Sequence, residues 1–128
     1  MIAKLTRPEV SKQASHKEFL APERLFIIET WNSSADPNLS IARARVKPGV
    51  TTALHYLAGI DERYLITSGG GVVEVDGLPP TVVSQGDVVA IPAGSTQRIR
   101  NTGNVDLIFY CICTPRFRPD CYHEVKDD

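Results

Sequence analysis

Apolar and polar residues alternate in short runs along most of this chain, and the runs are separated by Gly, Pro, Asn and Asp. Side chains on a strand point alternately to opposite faces, so each run predicts a strand with one face toward a core. Residues 25–31 are rich in β-branched and aromatic types and read as a strand, with a polar loop over 32–38. Residues 40–46 put Ile41, Arg43 and Arg45 on one face and Ser40, Ala42, Ala44 and Val46 on the other. Thr51, Ala53, His55 and Leu57 share a face before a break at 58–61, and Glu62, Tyr64 and Ile66 share one after it. Gly69, Gly70 and Gly71 permit a sharp bend into a strand at 72–76. Further strands follow at 81–84 and 88–91, then one in which Gln97 and Ile99 share a face, then an apolar one at 107–113. Short strands at even spacing with turn signals between them predict an all-β sandwich or barrel. Residues 1–22 support two readings. Thr6, Arg7, Pro8 and Glu9 have the form of a capping box that opens a short helix to about Ala14, and an edge strand fits as well.

Composition narrows the partners. A chain of 128 residues is one domain and large enough for a core. A net charge of -1 offers no electrostatic case for nucleic acid or an anionic membrane. Three Cys residues suit a reducing cytosol better than a disulfide framework. No signal-peptide pattern opens the chain, and no apolar stretch nears the roughly 20 residues of a membrane span. The expectation is a cytoplasmic protein acting on a small-molecule ligand.

The candidate chemistry begins at His55 and Glu62. A tight hairpin across 58–61 would bring them to cross-strand distance, about 5 Å between Cβ atoms. An imidazole and a carboxylate at that spacing could hold a divalent metal, and a buried His in a salt bridge with a neighbouring acid accounts for them equally simply. A second stretch adds to the picture: Gly86, Pro92, Gly94, Gln97 and Asn101. Gly49, His55, Glu62 and Gly69 match the pattern G-x5-H-x-H-x(3,4)-E-x6-G. Gly86, Pro92, Gly94 and Asn101 match G-x5-P-x-G-x2-H-x3-N. Together the two stretches resemble the paired motifs of the cupin superfamily, over about residues 40–115. The small single-barrel form is similar to the stand-alone cupins grouped loosely with mannose-6-phosphate isomerase. The chain departs from the pattern at two ligand positions, where Leu57 and Gln97 replace histidines.

The resemblance implies a double-stranded β-helix, or jelly-roll, barrel filling one domain over 1–128. Strands or a short helix at 1–31 would precede its core and a tail at 116–128 would follow. It also implies one divalent metal ion (Zn, Ni, Mn or Fe) on His55, Glu62 and Gln97, with Glu62 and Tyr64 as catalytic candidates. The matching activity is an isomerase, lyase or dioxygenase on a sugar or small polar acid; the alternative is a binding or sensing cupin that has lost its metal. Without a metal, Glu62 could act as a general base if burial raised its pKa. Arg43 and Arg45 are either solvated surface residues or binders of an anionic substrate. Cys111 and Cys113 face the same way, too far apart for a disulfide, and read as core packing. His16 reads as a surface residue. The apolar strand at 25–28 would leave an edge needing cover, and the family's habit of pairing N-terminal strands adds to the expectation of a homodimer.

Overall fold

The computed structural model describes residues 4–126. Eleven strands run through them: β1 (Phe19–Leu20), β2 (Phe26–Trp31), β3 (Ser40–Val46), β4 (His55–Leu57), β5 (Asp61–Ser68), β6 (Gly70–Val75), β7 (Thr81–Ser84), β8 (Val88–Ile91), β9 (Gln97–Asn101), β10 (Leu107–Thr114) and β11 (Tyr122–Glu124). They form a six-stranded sheet in the order β1-β2-β3-β10-β5-β8 and a five-stranded sheet in the order β11-β4-β9-β6-β7. Every named pairing is antiparallel. This is the all-β architecture expected of the alternating runs, in the double-stranded barrel form that the motif resemblance implies.

The inward faces of the sheets make one core. On β5 the residues Glu62, Tyr64 and Ile66 are buried, and on β9 so are Gln97, Ile99 and Asn101. Phe109 and Leu107 of β10, Ala44 and Val46 of β3 and Val73 of β6 meet between them. A second cluster of Leu57, Ile60, Cys113 and Cys121 sits at one end, with Phe117 and Tyr122 packed against it. The chain passes between sheets at tight points. Gly69 takes φ +76° between β5 and β6, where a Cβ would stand 2.6 Å from the Asp106 carbonyl oxygen. Only glycine satisfies both demands.

Three expectations change. First, the 58–61 break is not a hairpin. β4 pairs with β9 and β11, whereas β5 pairs with β10 and β8, so His55 and Glu62 belong to different sheets. Crossing from sheet to sheet is what lets each strand bury its own face. Second, no helix forms at 6–14. Residues 4–10 are exposed, with Leu5 62 % and Val10 78 % accessible, so such a helix would have no packed face and only a 3₁₀ turn at Gln13–Ser15 appears. Third, β2 is not the outer edge of its sheet: β1 covers it, Phe19 opposite Ile27 and Leu20 opposite Phe26.

The tail is folded back on the barrel. β11 pairs with β4, the Phe117 amide donates to Ser40 Oγ at 2.9 Å, and the Val125 amide donates to the Leu54 carbonyl at 2.8 Å.

Asn101, the last residue of the second motif, is a buried knot. Its Nδ2 donates to the Val46 and Val105 carbonyls at 2.9 and 2.8 Å, and its Oδ1 accepts from the Gly103 amide at 2.9 Å. Asn101→Ala strands these partners and should cost roughly 2–3 kcal/mol in urea denaturation. Asn101→Asp should give no rescue, because a carboxylate cannot donate to the two carbonyls.

Candidate functional site

A cavity of about 360 Å³ opens into the barrel. Leu25, Ile27, Phe109, Phe117 and Tyr122 supply apolar wall, and Glu23, Glu29, Glu62, Tyr64 and Ser40 supply polar groups. Among the described residues that line it, none is Lys, Arg or His.

Glu62 is the innermost acid. On β5 it stands opposite Cys113 of β10 and Ile91 of β8, and it is 7 % exposed. The Cys113 thiol lies 3.8 Å from Glu62 Oε2, while Oε1 has no hydrogen-bond partner. Burial pushes its carboxyl up to about 7, and hydrogen bonding from Gln97, Cys111 and Cys113 opposes part of the rise. Cys111 and Cys113 share the cavity face as expected, and burial lifts both thiols well above their usual range, so they stand as neutral groups.

Tyr64 follows Glu62 on the same face and is held from two sides. Its hydroxyl donates to Gln97 Oε1, and its ring lies 4.5 Å from that of Phe109, centroid to centroid. Burial, then the charge of Glu62, raises its phenol well above the normal value. Gln97 is 1 % exposed and faces His55 across β9 and β4.

His55 stands behind the cavity wall. Its Nδ1 lies 2.8 Å from the Ala53 carbonyl, which fixes the proton there and leaves Nε2 as the bare nitrogen. Nε2 faces Glu23 Oε2 at 3.4 Å, and the ring stacks on Tyr122 at 5.0 Å. Burial lowers the His55 pKa.

Glu23 is a functional candidate that the motifs do not reveal. It sits in the turn between β1 and β2, held as the Ala53 amide donates to its carbonyl at 3.0 Å, beside Arg24 at φ +72°. Burial, then repulsion from Glu62, pushes its carboxyl up to about 8. Only the turn signal of Pro22 marks this neighbourhood in the sequence, and it says nothing about where a side chain ends.

Of His55, Glu62 and Gln97, only Glu62 reaches the cavity; Tyr64 lines it too. Arg43 and Arg45 lie on the outer face of β3. Arg45 donates to Glu18 at 2.7 and 3.0 Å and to Asp106 at 3.2 Å, and Arg43 stands 3.7 Å from Glu18. They line an open outer groove rather than the barrel cavity. His16, in the same groove, bonds Ser11 Oγ at 2.7 Å.

Among the described residues no three His, Cys, Asp or Glu side chains group so as to hold an ion. Gln97 Oε1 is occupied by Tyr64, and Leu57, at the remaining motif position, packs with Ile60 and Cys121. As arranged, the donor set does not fit a metal ion.

Residues 42–113 match the cupin domain family. An oxalate-binding protein of Thermotoga maritima is 37 % identical over 71 residues, which is 56 % of this chain and 58 % of that protein. An uncharacterised protein of Methanocaldococcus jannaschii is 35 % identical over 78 residues, 61 % of this chain and 62 % of that one. The matches thus span less than two thirds of these curated relatives. Among solved structures, a predicted oxalate decarboxylase of Thermotoga maritima superposes with a TM-score of 0.74 at 24 % identity, covering 84 % of this chain and 99 % of its own. At that identity the likeness shows the fold.

Glu62 makes stability depend on pH. Its folded pKa lies above the unfolded value of 4.5, so the folded state keeps a proton that the unfolded chain releases. The Glu62 contribution should therefore fall as pH rises from about 4.5 through about 7, and Glu23, raised to about 8, extends the fall to that pH before it levels off. Glu62→Gln removes the Glu62 share and leaves that of Glu23: above pH 8 it should be more stable than wild type by about 3 kcal/mol, and near pH 4 about equal. Thermal melts across pH check this.

Proposed function

This chain belongs to the cupin family, and we propose that its barrel cavity binds a small molecule on which Glu62 performs acid–base chemistry. The observation that carries this reading is the buried carboxyl of Glu62, a residue of the cavity lining, with Oε1 unpartnered and its pKa near neutrality. Such a group exchanges a proton at little cost near pH 7. Glu23, held higher at about 8, keeps its proton when Glu62 has lost half of its own. Two carboxyls set apart in this way divide into base and acid. Ionised Glu62 would take a proton from a carbon beside a carbonyl, the electron pair moving into the new double bond. Glu23 would give its proton to the carbonyl oxygen or to a leaving hydroxyl. Return of the proton at a neighbouring carbon is isomerisation, and departure of the hydroxyl as water is elimination. Tyr64, tied to Gln97, and His55, facing Glu23, position these groups.

A rival arrangement, one divalent ion (Zn, Ni, Mn or Fe) on His55, Glu62 and Gln97, draws on the same unpartnered Glu62 oxygen. It requires Tyr64 to release Gln97 and Glu62 to lose its proton. Deuterium exchange separates the two. In chelator-treated protein, proton magnetic resonance on a panel of small hydroxy-carbonyl compounds should show exchange of a carbon-bound hydrogen by wild type and loss of about 100-fold in Glu62→Gln. Exchange that disappears with the chelator and returns with one equivalent of metal establishes the rival. In that case His55→Ala abolishes it and Gln97→His strengthens it.

Assembly as a homodimer belongs to the same reading, and its support is β1, an outer edge strand whose Phe19 and Leu20 are 44 % and 64 % exposed. Light scattering at micromolar concentration should give twice the chain mass, and Leu20→Lys should halve it.

A further inference from the structure

We infer that the ligand class of the barrel cavity is an organic ammonium ion, a positively charged amine on an apolar body. This rests on the placement of the ligand in that cavity, as proposed above, and adds the charge and hydrogen-bonding sense of what enters it.

Among the described residues three carboxyl groups line the cavity, and their exposure falls inward. Glu29 is exposed, the Glu23 side chain is 19 % exposed, and Glu62 is 7 % exposed. No cationic side chain among the described lining residues balances them, so burial holds Glu23 and Glu62 largely protonated near neutrality, and a bound cation would draw those protons off. Acidic groups alone would not define a site. The second observation is the unpartnered Oε1 of Glu62, a buried oxygen on a residue of the lining with nothing donating to it. A stranded polar atom in a well-packed interior marks the place of a missing partner.

The other polar atoms repeat the pattern. The Tyr64 hydroxyl gives its hydrogen to Gln97, so it has only lone pairs left to offer. Glu23 Oε2 faces His55 Nε2, which carries no proton while Nδ1 donates to Ala53. The buried Tyr122 hydroxyl in the same lining also lacks a partner and can both donate and accept, so a donating ligand group has Glu62 Oε1 and Tyr122 to satisfy. A ligand satisfies the site best by bringing several N–H donors and a positive charge, which is what an ammonium group carries.

Size and wall agree. A cavity of about 360 Å³ lies within the usual range for small-molecule sites. Phe109, Phe117 and Tyr122 line it beside the carboxyls, and aromatic rings favour a cation over a neutral or anionic head. A metal ion is a poorer occupant. It needs several donors at about 2.0–2.2 Å around one point, whereas an ammonium accepts partners at about 2.8–3 Å and fills the apolar space with its own body.

Calorimetry with three probes of one shape and different charge tests this: benzylamine, benzyl alcohol and benzoate, each titrated into chelator-treated full-length protein. Benzylamine should bind at least about tenfold more tightly than the alcohol, and benzoate should give no measurable heat. Glu62→Gln and Glu23→Gln should each weaken benzylamine by about tenfold or more and leave the alcohol unchanged, with melting curves confirming that both variants fold. Arg43→Ala, on the outer face, should change none of these. Equal binding of amine and alcohol, tighter binding of benzoate, or no binding of any probe overturns the inference. The deuterium-exchange experiment is read separately. Amine binding without Glu62-dependent exchange removes the acid–base reading alone, and exchange without amine preference removes this one alone.

Discussion

A carboxyl group without a counter-charge lies enclosed between two β-sheets, and the arrangement around it follows from that burden. An ionised carboxylate costs several kcal/mol to bury, so Glu62 is held in its neutral form more readily than a surface acid. Its neighbours are chosen for low charge: two thiols, an amide and a phenol. None of them neutralises it, and Oε1 is left with no partner. The barrel tolerates this because its closed antiparallel pairing satisfies the backbone on either side of the residue.

That burden is placed on the least yielding part of the fold. β5 is paired on both sides, with β10 and β8, so Glu62 cannot shift without disturbing two ladders. Tyr64 is bound to Gln97 of the opposite sheet, and this one side-chain bond ties the sheets together at the depth of the acid. Around this rigid floor the rim is built from turn and tail. Glu23 comes from the β1–β2 turn, and Phe117 and Tyr122 come from the returning C-terminal segment. The floor thus suits chemistry that needs fixed geometry, and the rim suits selection of what enters.

The tail also changes the meaning of His55. With Tyr122 stacked on its ring and Ala53 holding Nδ1, the imidazole is orientated by two neighbours before any ligand is considered. Its bare nitrogen faces a carboxyl group, and Leu57 beside it turns to an apolar cluster. The motif positions that read as a ligand set are therefore divided between a cavity floor and a supporting layer behind it.

Local pattern was enough to determine the strands of the barrel core, their buried faces and the all-β class, while β1 and β11 lay in segments it left undecided and the double-stranded barrel came from the motif resemblance. Alternation along a strand is set by backbone geometry, and burial then selects apolar residues at every second position. Gly69 was legible in the same way, because a left-handed turn demands glycine, whereas Asn101 was legible only as a motif position and its hydrogen bonds to Val46, Val105 and Gly103 came with the fold. The inward direction of Glu62, Tyr64 and Gln97 could also be read from alternation, but their company could not. Which strand lies beside which is decided by long-range pairing, and this put His55 and Glu62 in different sheets although only six residues lie between them. Only the tertiary structure brought Glu23 to His55 and Tyr122 to the cavity, since turns and tails carry no periodic signal for where their side chains end. It also set the protonation of the site, because a carboxyl group's pKa depends on the solvent it loses, and that loss exists only in the folded barrel.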